Sequence, residues 1–328
     1  MCYYPIKAIP QPYGRPIFHP DGKIEVPCGK CAECVSARAS EWATRCQHEA
    51  SLHKAWCFIT LTYEDEKLPK NLLDRKKEFQ KFKKRLDKKL KIKMPYLVSH
   101  EFGKKTARLH HHAIIFGFFP PDAQFYKKTP KGHSLYKSKI LTDTWKQGLI
   151  TVAEANGATS YYVASYGLKS QEIEVMSEQG EMFKLKDTMD SSKRPAIGLK
   201  FLHKYHAQLA ARGERLPRYY VKKMEELVTL TPKQLAKKTP EELQLLASMY
   251  QSFLTYKYNQ EENIKMRNLY HTYSKKCIDE AKLELNSEFR ENPGKTIEQV
   301  MQDKYFKEET MSFLSQLKTS EKEEGKKS

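Results

Sequence analysis

The chain has no run of about 18 apolar residues, so no membrane-spanning helix is expected and no membrane partner. Its opening, MCYYPIKAIPQPYGRP, lacks the apolar stretch of a secretory leader, and a cytosolic protein is expected. No GxxxxGKS/T loop is present, which removes the usual backbone cradle for a nucleoside triphosphate. There is no internal repeat. The seven cysteines are odd in number and four crowd between Cys28 and Cys46. That pattern argues against a disulfide framework and for a reducing compartment with a local metal site. Acidic residues are in deficit, 40 against 58 Lys and Arg, for a net charge of +18. A field of that sign attracts a polyanion, and nucleic acid is the first partner to expect. The plainer alternative is a lysine-rich surface that only maintains solubility.

What is present reads as an α+β core followed by helices. The first 27 residues, rich in proline and tyrosine, show neither helical nor strand periodicity and suggest an extended arm. Cys28 to Lys54 turns helical. Cys57–Tyr63 (CFITLTY) has strand composition. Asp74–Lys93 spaces Phe79, Phe82, Leu86 and Leu90 by three and four, an amphipathic helix with a basic outer face. Pro95–Phe102 and Leu109–Phe118 flank the turn GKKTA and predict an antiparallel hairpin. Asp122–Lys139 reads as an insertion, Ile140–Gln147 as a short helix, Leu149–Glu154 as a strand and Thr159–Lys169 as a helix carrying three tyrosines. Beyond about Arg218 the pattern is helical alone. Starts are marked at Thr231-Pro232-Lys233-Gln234, Thr239-Pro240-Glu241-Glu242 and Thr296-Ile297-Glu298-Gln299, each with capping-box spacing. The expected division is 1–54 for arm, cysteine cluster and helix, 55–220 for a catalytic domain, and 221–328 for a helical extension with a polar tail.

Three groups of side chains carry chemistry. In Arg108-Leu109-His110-His111-His112-Ala113 the alternation of a strand projects His110 and His112 from one face and His111 from the other. Two imidazoles so spaced can grip one ion, or the triplet can simply satisfy itself with hydrogen bonds in the interior. Glu101, on the partner strand of the hairpin, would complete a mixed nitrogen and oxygen set suited to Mg²⁺ or Mn²⁺. On the tyrosine helix, Tyr162 and Tyr166 are four residues apart and share a face, while Tyr161 points about 100° away. A phenol is a competent nucleophile toward phosphorus once a metal or base assists, although such pairs also serve as core packing. Cys28, Cys31 and Cys34, with Cys46, supply the four thiolates of a structural Zn²⁺ site. Free redox-sensitive thiols and an iron–sulfur cluster remain as alternatives. Cys57 reads as core.

Taken together, RLHHHAIIFG resembles the HUH motif of rolling-circle initiators, CFITLTY their first motif, and YVASY followed by Lys169 their tyrosine helix. More closely, the chain resembles the replication initiation proteins of Microviridae phages, the gokushovirus group in particular. The resemblance rests on Met1-Cys2, on Pro27-Cys28-Gly29-Lys30-Cys31 running on to Glu41-Trp42, and on Glu101-Phe102-Gly103 before the histidines. Arg194-Pro195-Ala196-Ile197-Gly198 and Leu216-Pro217-Arg218-Tyr219-Tyr220 extend it, so that it spans roughly residues 1–220. It departs from the family at His111, where a bulky apolar residue is usual, and at Ser165, where lysine commonly stands between the tyrosines. His111 leaves a shifted ligand pair open.

The resemblance implies an HUH-type antiparallel sheet with helices packed on it. It further implies a metal-dependent endonuclease that nicks a single-stranded DNA origin, with Tyr162 and Tyr166 as nucleophiles and Lys169 supplying charge. His110, His112 and Glu101 would bind Mg²⁺ or Mn²⁺. The products would be a 5′-phosphotyrosine link and a 3′-hydroxyl that primes a host DNA polymerase, in the cytoplasm of a bacterial host cell. The helical extension would serve contact with a host helicase, dimerisation or DNA clamping. Two rivals remain: a zinc-stabilised nucleic-acid-binding protein without activity, and an HUH transposase or relaxase.

Overall fold

A computed structural model describes residues 2–10, 16–69, 71–103, 108–168, 172–176 and 182–288. The chain begins with three short strands, β1 (Ile6–Ile9), β2 (Ile17–Phe18) and β3 (Ile24–Val26), paired antiparallel in the order β2-β1-β3. This corrects the expected arm: strands of two to four residues are too short to display an alternating pattern. Gly22 is required there, because a Cβ would lie 2.2 Å from the backbone nitrogen of Ala8.

Helix α1 (Ala32–Ala50) leads into β4 (Trp56–Thr62), then α2 (Arg75–Leu90), β5 (Tyr96–Phe102) and β6 (Leu109–Phe116). Next come β7 (Gln124–Lys128), β8 (Ser134–Lys137), α3 (Lys139–Trp145), β9 (Ile150–Glu154) and α4 (Gly157–Leu168). Strands β10 (Glu172–Met176) and β11 (Met182–Lys186) form a separate hairpin, and β12 (Thr188–Ser191) precedes α5 (Leu199–Arg212). Four further helices are α6 (Arg218–Met224), α7 (Glu226–Thr229), α8 (Pro232–Leu235) and α9 (Pro240–Glu288).

Seven strands make one antiparallel sheet in the order β12-β5-β6-β4-β9-β8-β7. The expected α+β class is therefore borne out, and so is the β5–β6 hairpin, whose turn residues 104–107 lie outside the described ones. The segment read as an insertion in fact adds β7 and β8 to one edge of the sheet, and β12 adds the other edge.

The pleat sorts each strand between two cores. Cys57, Ile59 and Leu61 of β4 join Ala113 and Ile115 of β6 beneath Phe79, Phe82 and Leu86 of α2 and Trp145 of α3. The opposite face carries Leu97, Ile114 and Phe116 against Ala39 and Cys46 of α1 and Val163 and Ala164 of α4. Cys57 is core, as its composition suggested. A third cluster unites Leu202 and Leu209 of α5 with Tyr220 and Met224 of α6 and Met249, Phe253 and Tyr256 of α9.

Two predicted capping boxes form. Thr231 and Gln234 bond reciprocally at the start of α8, and Thr239 and Glu242 do so before α9, at 3.1 and 3.2 Å. The third, at Thr296, and the polar tail lie outside the described residues. Two compact units result, Met1–Tyr256 and Lys257–Ser328. No helix among the described residues is long and apolar enough to cross a membrane.

Phe82 is fully buried between Phe79 and Trp145. Phe82→Ala should cost about 3–5 kcal/mol through lost burial and a residual cavity, read as a lowered midpoint in urea unfolding.

Candidate active site

The sheet itself builds the first half of the site. In register, Glu101 of β5 lies opposite His110 of β6, and Ser99 opposite His112; on the other side of β6, Thr60 of β4 also faces His112. By the parity of the pleat these side chains share the face covered by α1 and α4. The Nε2 atoms of His110 and His112 each lie 3.9 Å from Oε2 of Glu101. One donor atom from each residue falls within 4.8 Å of the others. Adjacent ligands of an octahedral ion with bonds of about 2.1 Å stand about 3 Å apart, so small side-chain rotations would close the set on one cation.

The supporting groups favour that use. Nδ1 of His110 donates to the carbonyl oxygen of Arg108 at 3.1 Å, which fixes its tautomer and leaves Nε2 with a free lone pair. Nδ1 of His112 is 3.0 Å from Oγ1 of Thr60, and the Ser99 hydroxyl donates to Oε1 of Glu101. Burial, with His110 adding to it, pushes His112 down to about 3, so its ring is neutral at physiological pH and available as a ligand. The donor set fits a hard or borderline divalent cation.

His111 points into the other core, and a shifted pair of ligands finds no support in the geometry. Its Nε2 is 2.8 Å from the hydroxyl of Tyr63 and its Nδ1 2.9 Å from Nδ1 of His100. Aromatic rings of Phe79 and Trp145 surround it, an interior position that accounts for the bulky apolar residue usual there. Nε2 of His100 is buried without a hydrogen-bond partner. An unpaired lone pair is cheaper than an unpaired N–H, so the favoured tautomer has His100 donating to His111, and His111 donating to Tyr63.

The second half comes from α4. The ring of Tyr162 meets His112 edge-on at 5.4 Å between centroids, and Phe58 of β4 at 6.3 Å. Tyr162 is partly exposed, so its surroundings include solvent. Tyr161 diverges as expected: its hydroxyl sits 2.9 Å from Oγ of Ser36 on α1. Tyr166 belongs to α4 one turn beyond Tyr162, but its side chain and the whole of Lys169 lie outside the described residues. Ser165 turns its hydroxyl back to the carbonyl of Tyr162 at 2.9 Å and brings no charge.

Sequence reasoning missed Thr60, Ser99 and Arg108. The alternation of CFITLTY could have pointed to Thr60, since it occupies the same face as Phe58. The basic face of α2 was expected beside the site; instead α2 covers the opposite face of the sheet, among Ile59, Leu61 and Ile115.

The cysteine cluster also differs from expectation. Cys28, Cys31 and Cys34 come together with Cys2, not with Cys46. Cys34 and Cys46 share α1, and 12 residues of helix separate them by about 18 Å along the axis, too far for one ion. Cys46 is instead wholly buried between α1 and the sheet, where burial holds its thiol up at about 12. Cys28 is pushed down to about 6 by the amide N–H groups of Lys30 and Cys31. Cys34 is pushed up to about 12 by desolvation with the neighbouring thiols adding, because thiols so close cannot all ionise without a cation among them.

Residues 56–171 match a family model for replication-associated proteins of the ORF2 type. The chain is a relative of phage replication-associated proteins. It is 35% identical to replication-associated protein VP4 of Bdellovibrio phage phiMH2K over 211 residues, 59% of this chain and 65% of that one. To replication-associated protein ORF4 of Chlamydia phage 1 it is 28% identical over 220 residues, 62% and 54% of the two chains. To replication-associated protein ORF2 of Spiroplasma virus 4 it is 27% identical over 223 residues, 61% and 68%. The chain thus spans less than two thirds of the length of the first two relatives. No solved structure matches it. The region matched by the replication-associated family runs from the first residue of β4 to just past α4, and so contains Thr60, Glu101, His110, His112 and Tyr162 together.

Two outcomes follow from the geometry. Thr60→Val, which keeps the shape and removes the hydroxyl beside Nδ1 of His112, should weaken Mn²⁺ binding by about 10–100-fold in titration calorimetry. Burial holds His100 at about 3 and His111 well below its ordinary value, whereas the unfolded chain protonates near 6.5. Because the folded values are depressed, stability is full above about pH 6.5 and falls as pH drops below it, by up to about 1.4 kcal/mol per pH unit for each histidine. In urea unfolding between pH 7.5 and 5, His111→Leu should flatten that slope; an unchanged slope would refute the assignment.

Proposed function

We propose that the protein is a replication initiator that nicks single-stranded origin DNA through a tyrosine nucleophile beside a histidine-bound divalent metal. The observation that carries this reading is the contact of Tyr162 with His112, whose outer nitrogen converges with His110 and Glu101. A nucleophile and a cation-binding set on one exposed face are what phosphodiester transfer needs. The names of the relatives and the net charge of +18 support the same class of partner.

His110, His112 and Glu101 would hold one Mg²⁺ or Mn²⁺, which when bound supplies positive charge to a scissile phosphate and its developing oxyanions. Tyr162 loses its phenolic proton and its oxygen attacks phosphorus in line. A tyrosine–phosphorus bond forms and the bond from phosphorus to the 3′ oxygen breaks. That oxygen takes up a proton and leaves as a 3′-hydroxyl, able to prime a host DNA polymerase. The 5′ side stays on the protein as a phosphotyrosine, which conserves the bond energy so that no nucleotide is consumed. Tyr166, one turn on, would attack after a round of synthesis and rejoin the ends, and Lys169 would add charge beside the phosphate. Work inside a bacterial host cell, with a helicase at the opened fork, belongs to the same reading.

The test is cleavage of labelled single-stranded oligonucleotides tiled across the genome that encodes the protein, in Mn²⁺ or in EDTA. A nick with protein attached at its 5′ side is expected in Mn²⁺ alone. Tyr162→Phe should abolish the first cut, and Tyr162→Phe with Tyr166→Phe every cut, while DNA binding persists. Binding without cleavage over the whole tiling would favour a DNA-binding protein whose histidines only pack.

A further inference from the structure

Four cysteine sulfurs gather away from the site just described, at the junction of the N-terminal strands with α1. Those of Cys2, Cys28, Cys31 and Cys34 all lie within 4.8 Å of one another, with Cys2 and Cys31 3.8 Å apart. A disulfide needs sulfurs about 2.05 Å apart, and all four cysteines are free. By contrast, 3.8 Å is the edge of a tetrahedron whose centre lies about 2.3 Å from each sulfur, the zinc–thiolate bond length. Sulfurs this close leave no room for several irons and sulfides between them.

The backbone around the cluster is arranged for thiolates. Lys30 and Cys31 each donate an amide N–H to Sγ of Cys28 at 3.4 Å, and the amide of Cys28 donates to Sγ of Cys2 at 3.3 Å. Two of these converge on one sulfur because Gly29 takes φ +75 and folds the turn back on itself. Cys31 is the N-cap of α1 and Cys34 lies in its first turn, where the unpaired amides favour negative charge. Four thiolates with this amide support match a closed tetrahedral site rather than an open catalytic one.

We propose that Cys2, Cys28, Cys31 and Cys34 bind one structural Zn²⁺ that clips the segment before β1 to the start of α1. The clip has a consequence for the rest of the unit. Ser36, in the next turn of α1, holds the hydroxyl of Tyr161 on α4, so the metal fixes the end of α1 that meets the tyrosine helix. Nothing in this inference depends on nicking activity.

The experiment is metal analysis of the full chain, purified under reducing conditions and dialysed against a weak chelator to strip loosely held ions. Wild type should retain one zinc per chain, and Cys46→Ala should retain it too. Cys2→Ser and Cys34→Ser should lose it, with far-ultraviolet circular dichroism checking that each remains folded. Substitution with Co²⁺ should give the intense thiolate-to-cobalt bands of a tetrahedral sulfur site, absent in Cys2→Ser. Hydrogen exchange in residues 6–9 and 24–26 should quicken in that variant. Retention of zinc by Cys2→Ser, its loss in Cys46→Ala, iron in place of zinc, or four rapidly titrating thiols in folded metal-free protein would each overturn the proposal.

Discussion

The pleat of β6 is the constraint on which the site depends. A strand turns successive side chains to opposite faces, so three consecutive histidines cannot act as one group. His110 and His112 emerge beneath α1 and α4, and His111 enters the core beneath α2 and α3. A slip of one residue in the pairing with β4 and β5 would exchange the two environments. The ladder resists such a slip because every buried residue of the hairpin would change face with it: Ile114 and Phe116 on one side, Leu109, Ala113 and Ile115 on the other. The same packing that stabilises the sheet therefore fixes which imidazoles can reach an ion.

That dependence explains what was legible in the sequence. His110, His112 and Glu101 could be grouped because they sit on adjacent strands of a hairpin, where alternation and register are local properties. Tyr162 could be separated from Tyr161 by the angle between helix positions. The capping boxes at Thr231 and Thr239 were readable because each is closed by residues three apart. What failed was non-local. Nothing in the α2 segment says which face of the sheet it covers, and its lysines proved to lie on the side away from Tyr162. Cys2 joins a cluster 26 residues further on only because the short strands between them fold back, and strands of two to four residues leave no periodic trace. The choice of Cys46 ignored the rise of the helix that carries it.

The two histidine environments also divide the work of solvation. His112 is buried enough to stay neutral, yet its Nε2 turns toward His110 and Glu101, while Thr60 and the ring of Phe58 take up the rest of the imidazole. His111 spends both nitrogens within the core, on Tyr63 and His100. A bulky apolar residue would fill that space without needing partners; histidine fills it at the cost of a polar chain that ends on the unpaired nitrogen of His100.

The approach of α4 to the sheet follows from small side chains. Among the described side chains of the helix, Ser160, Val163, Ala164 and Ser165 are buried, and three of these four are no larger than serine. Small residues let a helix backbone come close, and closeness brings the ring of Tyr162 to the edge of His112. Buried hydroxyls would ordinarily need partners across the interface. Here both serines turn back to their own helix, Ser160 to the carbonyl of Asn156 and Ser165 to that of Tyr162, at 3.0 and 2.9 Å. The interface therefore asks nothing polar of the strands beneath, and Thr60, Ser99 and Glu101 remain committed to one another and to the histidines.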